Sequence, residues 1–200
     1  MRIESVALHQ IRLPLKSAFT TSVGTQTERP CIIVTVNAEG LKGYGECVAG
    51  DGPWYSYETV DTAWHIMRDF LIGRLLGANV DDPAAVWELF AAVRGHNMAK
   101  AALEMACWDL TARARGVPLA QLLGGERDRV AVGVSVGLQD SPEALVRAVD
   151  AYLAEGYGRF KIKIAPGHDQ ADVAAVRAAH PQVPLQVDAN AAYTLAEASL

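Results

Sequence analysis

Two lysines and a carboxylate–amide pair have the residue types and the spacing needed for chemistry. Lys161 and Lys163 alternate with aliphatic residues, and Asp188 and Asn190 end a second apolar run further along the chain. Residues i and i+2 of a β-strand point to the same side, so both ammonium groups should face one way. The stretch between the two groups can form a helix, so the spacing corresponds to one strand–helix–strand unit. Adjacent parallel strands would then bring two amines and an oxygen ligand together, which suits proton abstraction beside a metal-held anion.

The chemistry of these side chains is consistent with a base and a divalent metal ion. Mg²⁺ prefers hard oxygen ligands, which makes the carboxylate of Asp188 a candidate metal ligand. If both lysines face a barrel interior, desolvation and mutual repulsion make each amine harder to charge, so one can act as a base and the other can tune it. A single carboxylate does not make a metal site, so further oxygen ligands are needed from elsewhere.

Two structural alternatives remain open on the residues alone. Lysines that alternate with isoleucine on a strand can protect an exposed sheet edge from aggregation. An aspartate directly after a strand can be a turn or helix-cap residue, as Asp188 would be here. The position of the lysine strand inside a strand–helix run argues against the first alternative, because both faces of such sheets are normally covered.

The composition excludes several classes of protein. The chain has 200 residues, half of them hydrophobic, and a net charge of −5. The chain lacks the basic stripe that is typical of nucleic-acid-binding proteins. No apolar run approaches the roughly 20 residues of a membrane span. The N-terminus lacks the apolar stretch of a secretory signal. The three cysteines match neither a disulfide framework nor a zinc site, so we predict a cytoplasmic protein.

The pattern up to about residue 125 predicts an N-terminal α+β domain. Strands are expected at 3–13, 31–36 and 43–48, with the last two forming a hairpin. The segment Lys16–Arg29 is expected to be a long loop, either functional or disordered. Helices follow the strands, and their predicted ranges are 56–76, 82–93, 97–115 and 119–123.

After residue 125 the pattern changes to alternating strands and helices. Strands are predicted at 130–137, 159–164 and 184–188, and helices at 141–155, 169–180 and from 194 onward. This alternation predicts parallel strands with right-handed crossovers. The fold class is therefore α/β, with domains at 1–125 and 126–200. We expect the chain to be a piece of a longer polypeptide and to be inactive alone, because three strands do not close a barrel of eight.

These residues together resemble the enolase superfamily, in particular its muconate-lactonizing subgroup. The resemblance is carried by Lys161-Ile162-Lys163 and Asp188-Ala189-Asn190, and it runs through the whole chain. Three further phrases support it, namely 43–47, 95–106 and 133–137. Within the subgroup the sequence is similar to o-succinylbenzoate synthases and N-acylamino acid racemases.

The resemblance implies a capping domain followed by the first three βα units of a modified TIM barrel. It implies abstraction of a proton α to a carboxylate, with Mg²⁺ stabilising the enediolate, as is known for this superfamily. It makes Lys163 the base, Lys161 its electrostatic tuner and Asp188 the first metal ligand. The implied substrate-binding residues are Phe19, Ser22, Tyr55, Ser135 and Asn190. The segments 16–29 and 48–55 would be lids that select the substrate.

We expect the protein to act on a small carboxylate substrate and to bind neither nucleic acid nor membrane. We also expect it to form a homo-oligomer. Two reactions remain open for the whole protein. Dehydration to o-succinylbenzoate, a step of menaquinone synthesis, needs a lysine on one face only, whereas racemization or epimerization needs lysines on both faces. A third alternative is a binding or scaffold protein without catalysis. The intact lysine and Asp–Asn motifs argue against this alternative.

Overall fold

The chain forms two compact units. The computed structural model describes residues 1–197. The first unit contains residues 1–14 and 28–126, and the second contains residues 15–27 and those from 127 onward. The division after residue 126 lies beside the domain boundary expected near 125, which stays a prediction. Segment 15–27 belongs to the second unit although sequence of the first unit flanks it on both sides.

A three-stranded sheet begins the chain, in the order β1 (Ser5–Thr21), β2 (Gly24–Ala38) and β3 (Leu41–Cys47). The prediction of a long loop at Lys16–Arg29 was wrong, because this segment forms the arms of a hairpin whose turn is only two residues long. Its several threonines favour extended backbone, and the neighbouring strand supplies their hydrogen-bonding partners. The predicted hairpin between β2 and β3 is confirmed, with Glu39 and Gly40 at positive φ in its two-residue turn.

The helical part of the first unit is more broken than predicted. A single expected helix over 56–76 is instead a helix that starts at 60, passes through a π-helical segment and ends before Gly77, which has a φ of +75°. The helix expected over 82–93 ends at Leu89. The helical elements are α1 (Val60–Ile66), a π-helix (Met67–Leu71), α2 (Ile72–Leu75), a 3₁₀ turn (Pro83–Ala85), α3 (Val86–Leu89), α4 (Asn97–Arg115) and α5 (Leu119–Leu122).

Helix α4 packs against strand β3 so closely that glycine is required in the strand. A Cβ atom on Gly43 would lie 2.1 Å from the carbonyl oxygen of Ala106, and one on Gly45 would lie 2.0 Å from that of Ala102. Both distances are far below any real contact, so the alternate glycines of β3 and the alanines of α4 are matched to each other. This packing forms the main core of the first unit.

A buried carboxylate stabilises the start of α4. Glu58 is 2% exposed, and it accepts hydrogen bonds from the backbone N–H groups of Met98 (2.9 Å) and Ala99 (3.1 Å). These groups have no partner within the helix, and negative charge is favoured at this end. The residue before the helix is His96, in the left-handed conformation with a φ of +52°.

The second unit contains a parallel sheet with helices between its strands. Its elements are β4 (Val134–Val136), α6 (Pro142–Ala154), β5 (Phe160–Lys163), α7 (Gln170–Ala179), β6 (Leu185–Asp188) and a 3₁₀ turn (Leu195–Glu197). The strands pair in parallel in the order β4-β5-β6, as predicted. Ile162 packs with Val149 and Val176 in the core of this unit. Within residues 1–197, no helix is long and apolar enough to cross a membrane.

Candidate active site

The lysine strand and the aspartate strand are direct neighbours, as the spacing predicted. Lys163 lies opposite Asp188 in the β5–β6 register, and Lys161 lies opposite Gln186. The Nζ atoms of Lys161 and Lys163 lie 2.9 Å and 2.8 Å from the same oxygen of Asp188, Oδ2. Both amines therefore project from one face of the sheet, while Ile162 enters the core on the other. The exposed-edge alternative does not fit Lys163, which is only 6% exposed.

Asp188 is held as a carboxylate by its neighbours. Hydrogen bonds from Lys163 and then Lys161, together with the backbone N–H of Asn190, hold the pKa of Asp188 well below its ordinary value. Burial opposes this shift but is outweighed. The Asn190 N–H donates to Oδ1 at 3.0 Å, so the two carboxylate oxygens have different partners. A charged, oriented carboxylate thus lies at the end of β6.

A turn in a rare backbone conformation follows Asp188. Asn190 and Ala191 have φ values of +48° and +59°, in the left-handed region that residues other than glycine seldom adopt. Asn190 directs its side-chain oxygen at Lys163, which donates a hydrogen bond to it. The turn therefore brings Asn190, predicted as a pocket residue, into direct contact with the predicted base.

Ser135 lies beside the lysines and has an unused hydroxyl group. It pairs with Lys161 in the parallel register of β4 and β5, so its side chain is on the same face of the sheet. Its Oγ atom is buried and has no hydrogen-bond partner among residues 1–197. A buried polar atom without a partner is uncommon in folded proteins. This one is directed to the face on which the sequence predicted a substrate contact.

The hairpin tip contributes two of the other predicted residues. The ring of Phe19 lies 3.5 Å from the position that a Cβ atom of Gly137 would occupy, and Ser22 donates its hydroxyl hydrogen to the carbonyl of Ala189 at 2.8 Å. Both contacts lie within the second unit. Tyr55 belongs to the first unit, where its side chain is 80% exposed. The predicted roles of these three residues in substrate binding stay predictions.

Sequence reasoning missed residues that support the strand ends. Tyr193 donates a hydrogen bond to Asp169 at 2.8 Å, and this joins the segment after β6 to the start of α7. Burial, together with that carboxylate, raises the pKa of Tyr193 to about 12. The backbone N–H of Leu138 donates to the carbonyl of Thr20 at 2.9 Å. The only sequence signal for the second contact was Gly137 at a strand end, since such a glycine often marks close backbone approach.

The site fits a magnesium ion in part. Asp188 offers a deprotonated oxygen ligand of the kind Mg²⁺ prefers. Residues 1–197 contain no group of three or more His, Cys, Asp or Glu side chains that could hold a metal ion. The described residues can therefore supply one ligand of a metal site, and the lysine pair at that ligand suits an anionic substrate beside the ion.

Comparison with known protein families shows to which family the chain belongs. The family described as mandelate racemase / muconate lactonizing enzyme, N-terminal domain, matches residues 3–124. The family described as enolase C-terminal domain-like matches residues 144–199. The chain therefore belongs to the mandelate racemase / muconate lactonizing enzyme family of the enolase superfamily, which confirms the resemblance stated from its motifs.

Individual relatives carry two enzyme names. The chain is 48% identical over 199 residues to an o-succinylbenzoate synthase of Geobacillus kaustophilus, covering 99% of this chain and 53% of that enzyme. It is 47% identical over 196 residues to an N-succinylamino acid racemase of Thermus thermophilus, covering 98% of this chain and 53% of that enzyme. The chain thus spans about half the length of the relatives it matches.

Solved structures show the same mixed α/β fold. A member of the enolase superfamily from Listeria innocua aligns with a TM-score of 0.91 at 38% identity, covering 97% of this chain and 53% of that one. A dipeptide epimerase of Enterococcus faecalis, complexed with Mg and the dipeptide L-Leu-L-Tyr, aligns with a TM-score of 0.87 at 30% identity, covering 97% and 55%.

Proposed function

We propose that the whole protein is a Mg²⁺-dependent enzyme that abstracts the α-proton of a small carboxylate substrate. Its main reaction is dehydration to o-succinylbenzoate in menaquinone synthesis, and N-acylamino acid racemization is the second candidate. Dipeptide epimerization is a less favoured alternative, as is a scaffold role without catalysis. The observation that carries the proposal is the convergence of Lys161 and Lys163 on one oxygen of Asp188.

Lys163 is the proposed base because it combines burial with two oriented acceptors. Its Nζ atom contacts Asp188 and Asn190, which fix the amine at the strand end. A proton taken from a substrate carbon would be held at this Nζ, where the Asp188 carboxylate compensates the positive charge. Lys161 is more exposed and bonds to the same oxygen, so its proposed role is electrostatic tuning of the base.

Mg²⁺ would be held by Asp188 together with ligands from outside residues 1–197. When bound, the ion supplies positive charge for the carboxylate of the substrate. The unpartnered hydroxyl of Ser135 and the amide of Asn190 are proposed to orient the substrate on the lysine face. Phe19, Ser22 and Tyr55 are proposed to belong to the lids that choose it.

The wider architecture is part of the same proposal. We infer that the first unit is a capping domain and that β4, β5 and β6 begin a modified TIM barrel. We further expect a cytoplasmic homo-oligomer that acts on small molecules. The mixed α/β fold shared with superfamily members supports this architecture.

Hydrogen exchange at the substrate tests proton abstraction directly. Purified whole protein with Mg²⁺ is incubated in D₂O with an N-succinylamino acid, and loss of the α-proton signal is followed by NMR. Wild type should exchange the proton, and Lys163→Ala should exchange it about 10²–10⁴-fold more slowly, as for loss of a general base. Near-normal exchange in Lys163→Ala would rule out this lysine as the base.

The two candidate reactions separate when each enantiomer is tested alone. A racemase has a base on both faces and should exchange both the L and the D substrate. An enzyme that uses only the lysine pair described here should exchange one enantiomer and should also form o-succinylbenzoate from its precursor. If no exchange and no dehydration occur at any Mg²⁺ concentration, the scaffold alternative is favoured instead.

Metal dependence has its own test in Asp188. Treatment with EDTA should abolish activity, and titration with Mg²⁺ should restore it in wild type. Asp188→Ala should need a much higher Mg²⁺ concentration, because one oxygen ligand is lost. Equal Mg²⁺ affinity in wild type and Asp188→Ala, measured by calorimetry, would contradict the ligand role.

A further inference from the structure

We propose that Ser22 is a positioning residue that couples docking of the hairpin tip to the strand-end turn. The hairpin tip is defined as residues 19–24, and the strand-end turn as residues 188–192. The consequence for turnover rests on the proposed function, whereas the coupling itself is a property of the second unit. It assigns Ser22 a task different from the substrate contact implied by family resemblance.

The hairpin tip is docked at two separate strand ends. On one side, the N–H of Leu138, just after β4, donates to the carbonyl of Thr20 at 2.9 Å. On the other side, the hydroxyl of Ser22 donates to the carbonyl of Ala189, just after β6, at 2.8 Å. The tip therefore bridges the ends of the two outer strands, with the lysine strand β5 between them.

A glycine makes the first of these contacts possible. A Cβ atom on Gly137 would lie 3.0 Å from the carbonyl oxygen of Thr20, 3.2 Å from its nitrogen and 3.5 Å from the ring of Phe19. The two nearest of these atoms belong to the backbone and cannot rotate away. A methyl group at residue 137 must therefore shift the hairpin tip by a few tenths of an ångström, which gives a second, independent means of weakening its docking.

The second contact is made to a strained segment. Ala191 has a φ of +59°, which is costly for a residue with a β-carbon, and Asn190 has a φ of +48°. Such a turn persists only where its surroundings hold it. Bonds from the Asn190 N–H to Asp188 (3.0 Å) and from the Ala192 N–H to Ala189 (3.1 Å) hold it from within.

Ser22 holds the same turn from outside, at the carbonyl of Ala189, the residue between Asp188 and Asn190. When the tip docks, this bond fixes Ala189 and with it the two side chains that contact Lys163. When the tip leaves, the strained turn loses one of its few restraints and can relax. A substrate that closes the tip would thereby also tighten the partners of the base, so closure and organisation of the site become one event.

Amide exchange tests the coupling without any substrate. The whole protein is prepared as wild type, Ser22→Ala and Ser17→Ala, and exchange is followed at Leu138 and Ala192 by NMR. Ser17 is an exposed serine on β1, the strand that leads into the hairpin tip, so it controls for the loss of a hydroxyl group. Ser22→Ala should speed exchange about fivefold at both amides, the effect of losing one hydrogen bond, and Ser17→Ala should change neither.

Gly137→Ala weakens docking of the tip from the opposite side. It should speed exchange at Leu138, and if the coupling exists it should also speed exchange at Ala192, which the new methyl group does not touch. Faster exchange at Leu138 with unchanged Ala192 in both variants would overturn the coupling. Unchanged exchange at both amides in Ser22→Ala would overturn the positioning role as well.

Kinetics then link the coupling to the reaction. With an active substrate, Ser22→Ala should lower kcat as well as raise KM, because the partners of Lys163 are less well held. A rise in KM alone would assign Ser22 to substrate contact and overturn the positioning role. A whole protein that turns over neither substrate contradicts the proposed function only, since the exchange results stand apart from activity.

Discussion

Two lysines of this chain are equally buried and have entirely different surroundings. Lys100 in the first unit and Lys163 in the second are each 6% exposed. Lys100 donates a hydrogen bond to the carbonyl of Val93 and lies 5.3 Å from the centre of the Trp87 ring. Lys163 contacts a carboxylate and a side-chain amide at a strand end. Burial alone therefore does not identify a functional amine, whereas its partners do.

The carboxylates of the two units differ in the same way. Glu58 receives two backbone N–H groups at the start of α4, so its negative charge stabilises a helix. Asp188 receives two side-chain ammonium groups beside a strained turn and an unpartnered serine. Glu58 therefore stabilises the fold of the first unit, whereas the charges around Asp188 are the ones proposed to bind a metal ion and a substrate.

Replacing each buried lysine by methionine should give the sharpest contrast between the units. Lys163→Met should lower the turnover of the whole protein about 10²–10⁴-fold, because a base is lost, and it should also reduce stability, because Asp188 and Asn190 lose a donor. Lys100→Met should leave turnover within a few-fold of wild type. It should reduce stability by about 1–3 kcal/mol, because the carbonyl of Val93 loses its donor.

Steady-state kinetics and thermal unfolding of both variants measure this contrast. A large stability loss in Lys163→Met with intact turnover would reverse the assignment of the two lysines. Equal loss of turnover in both variants would show that the comparison of partners has no predictive value here.

Glycine spacing in β3 gives the second largest expected effect, on stability only. Gly45→Ala places a methyl group 2.0 Å from the carbonyl oxygen of Ala102, so α4 must move away from the sheet. We expect a loss of at least about 3 kcal/mol, as for severe overpacking of a core. All four tryptophans of this chain lie in the first unit, so their fluorescence follows its urea unfolding.

Gly73→Ala is the matched control for this change. A Cβ atom at Gly73 would meet nothing within 4 Å, and the residue lies in helix α2. Alanine is favoured over glycine in helices, so stability should rise by up to about 1 kcal/mol. An equal loss of stability in both variants would contradict the close-packing account of β3 and α4.

The sequence predicted those parts of the site that follow from local periodicity. Lys161 and Lys163 share a face because strand side chains alternate, and Asp188 is adjacent because a strand–helix–strand unit pairs its strands in parallel.

Features that depend on distant partners could not be predicted. The sequence predicts a loop over 16–29, because nothing in its composition shows that its halves pair with each other. The need for Gly43 and Gly45 arises from a helix more than fifty residues later, and the bond from Ser22 joins residues 167 positions apart. Such contacts exist only in the folded chain, so periodicity carries no trace of them.

Acid should weaken the two units differently, which is the smallest of the expected effects. Since the folded-state pKa of Asp188 is depressed by the two lysines, its contribution to stability is fully present above the unfolded pKa of about 3.9 and is lost as pH falls through the lower folded value. Asp188→Asn cannot titrate and lacks this dependence. The stability difference between wild type and Asp188→Asn should therefore be constant above about pH 5 and shrink below about pH 4.

The amide exchange rate of Ile164 measures this pH dependence beside Asp188, because the N–H of Ile164 donates to the carbonyl of Asp188 at 3.1 Å. The ratio of the exchange rates of the two proteins removes the intrinsic pH dependence and the titration of shared carboxylates. Amides of α4 in the first unit serve as the internal control and should show a constant ratio. A ratio at Ile164 that stays constant down to pH 2 would mean that the lysines do not stabilise the charged form of Asp188, and the electrostatic basis of the site would be wrong.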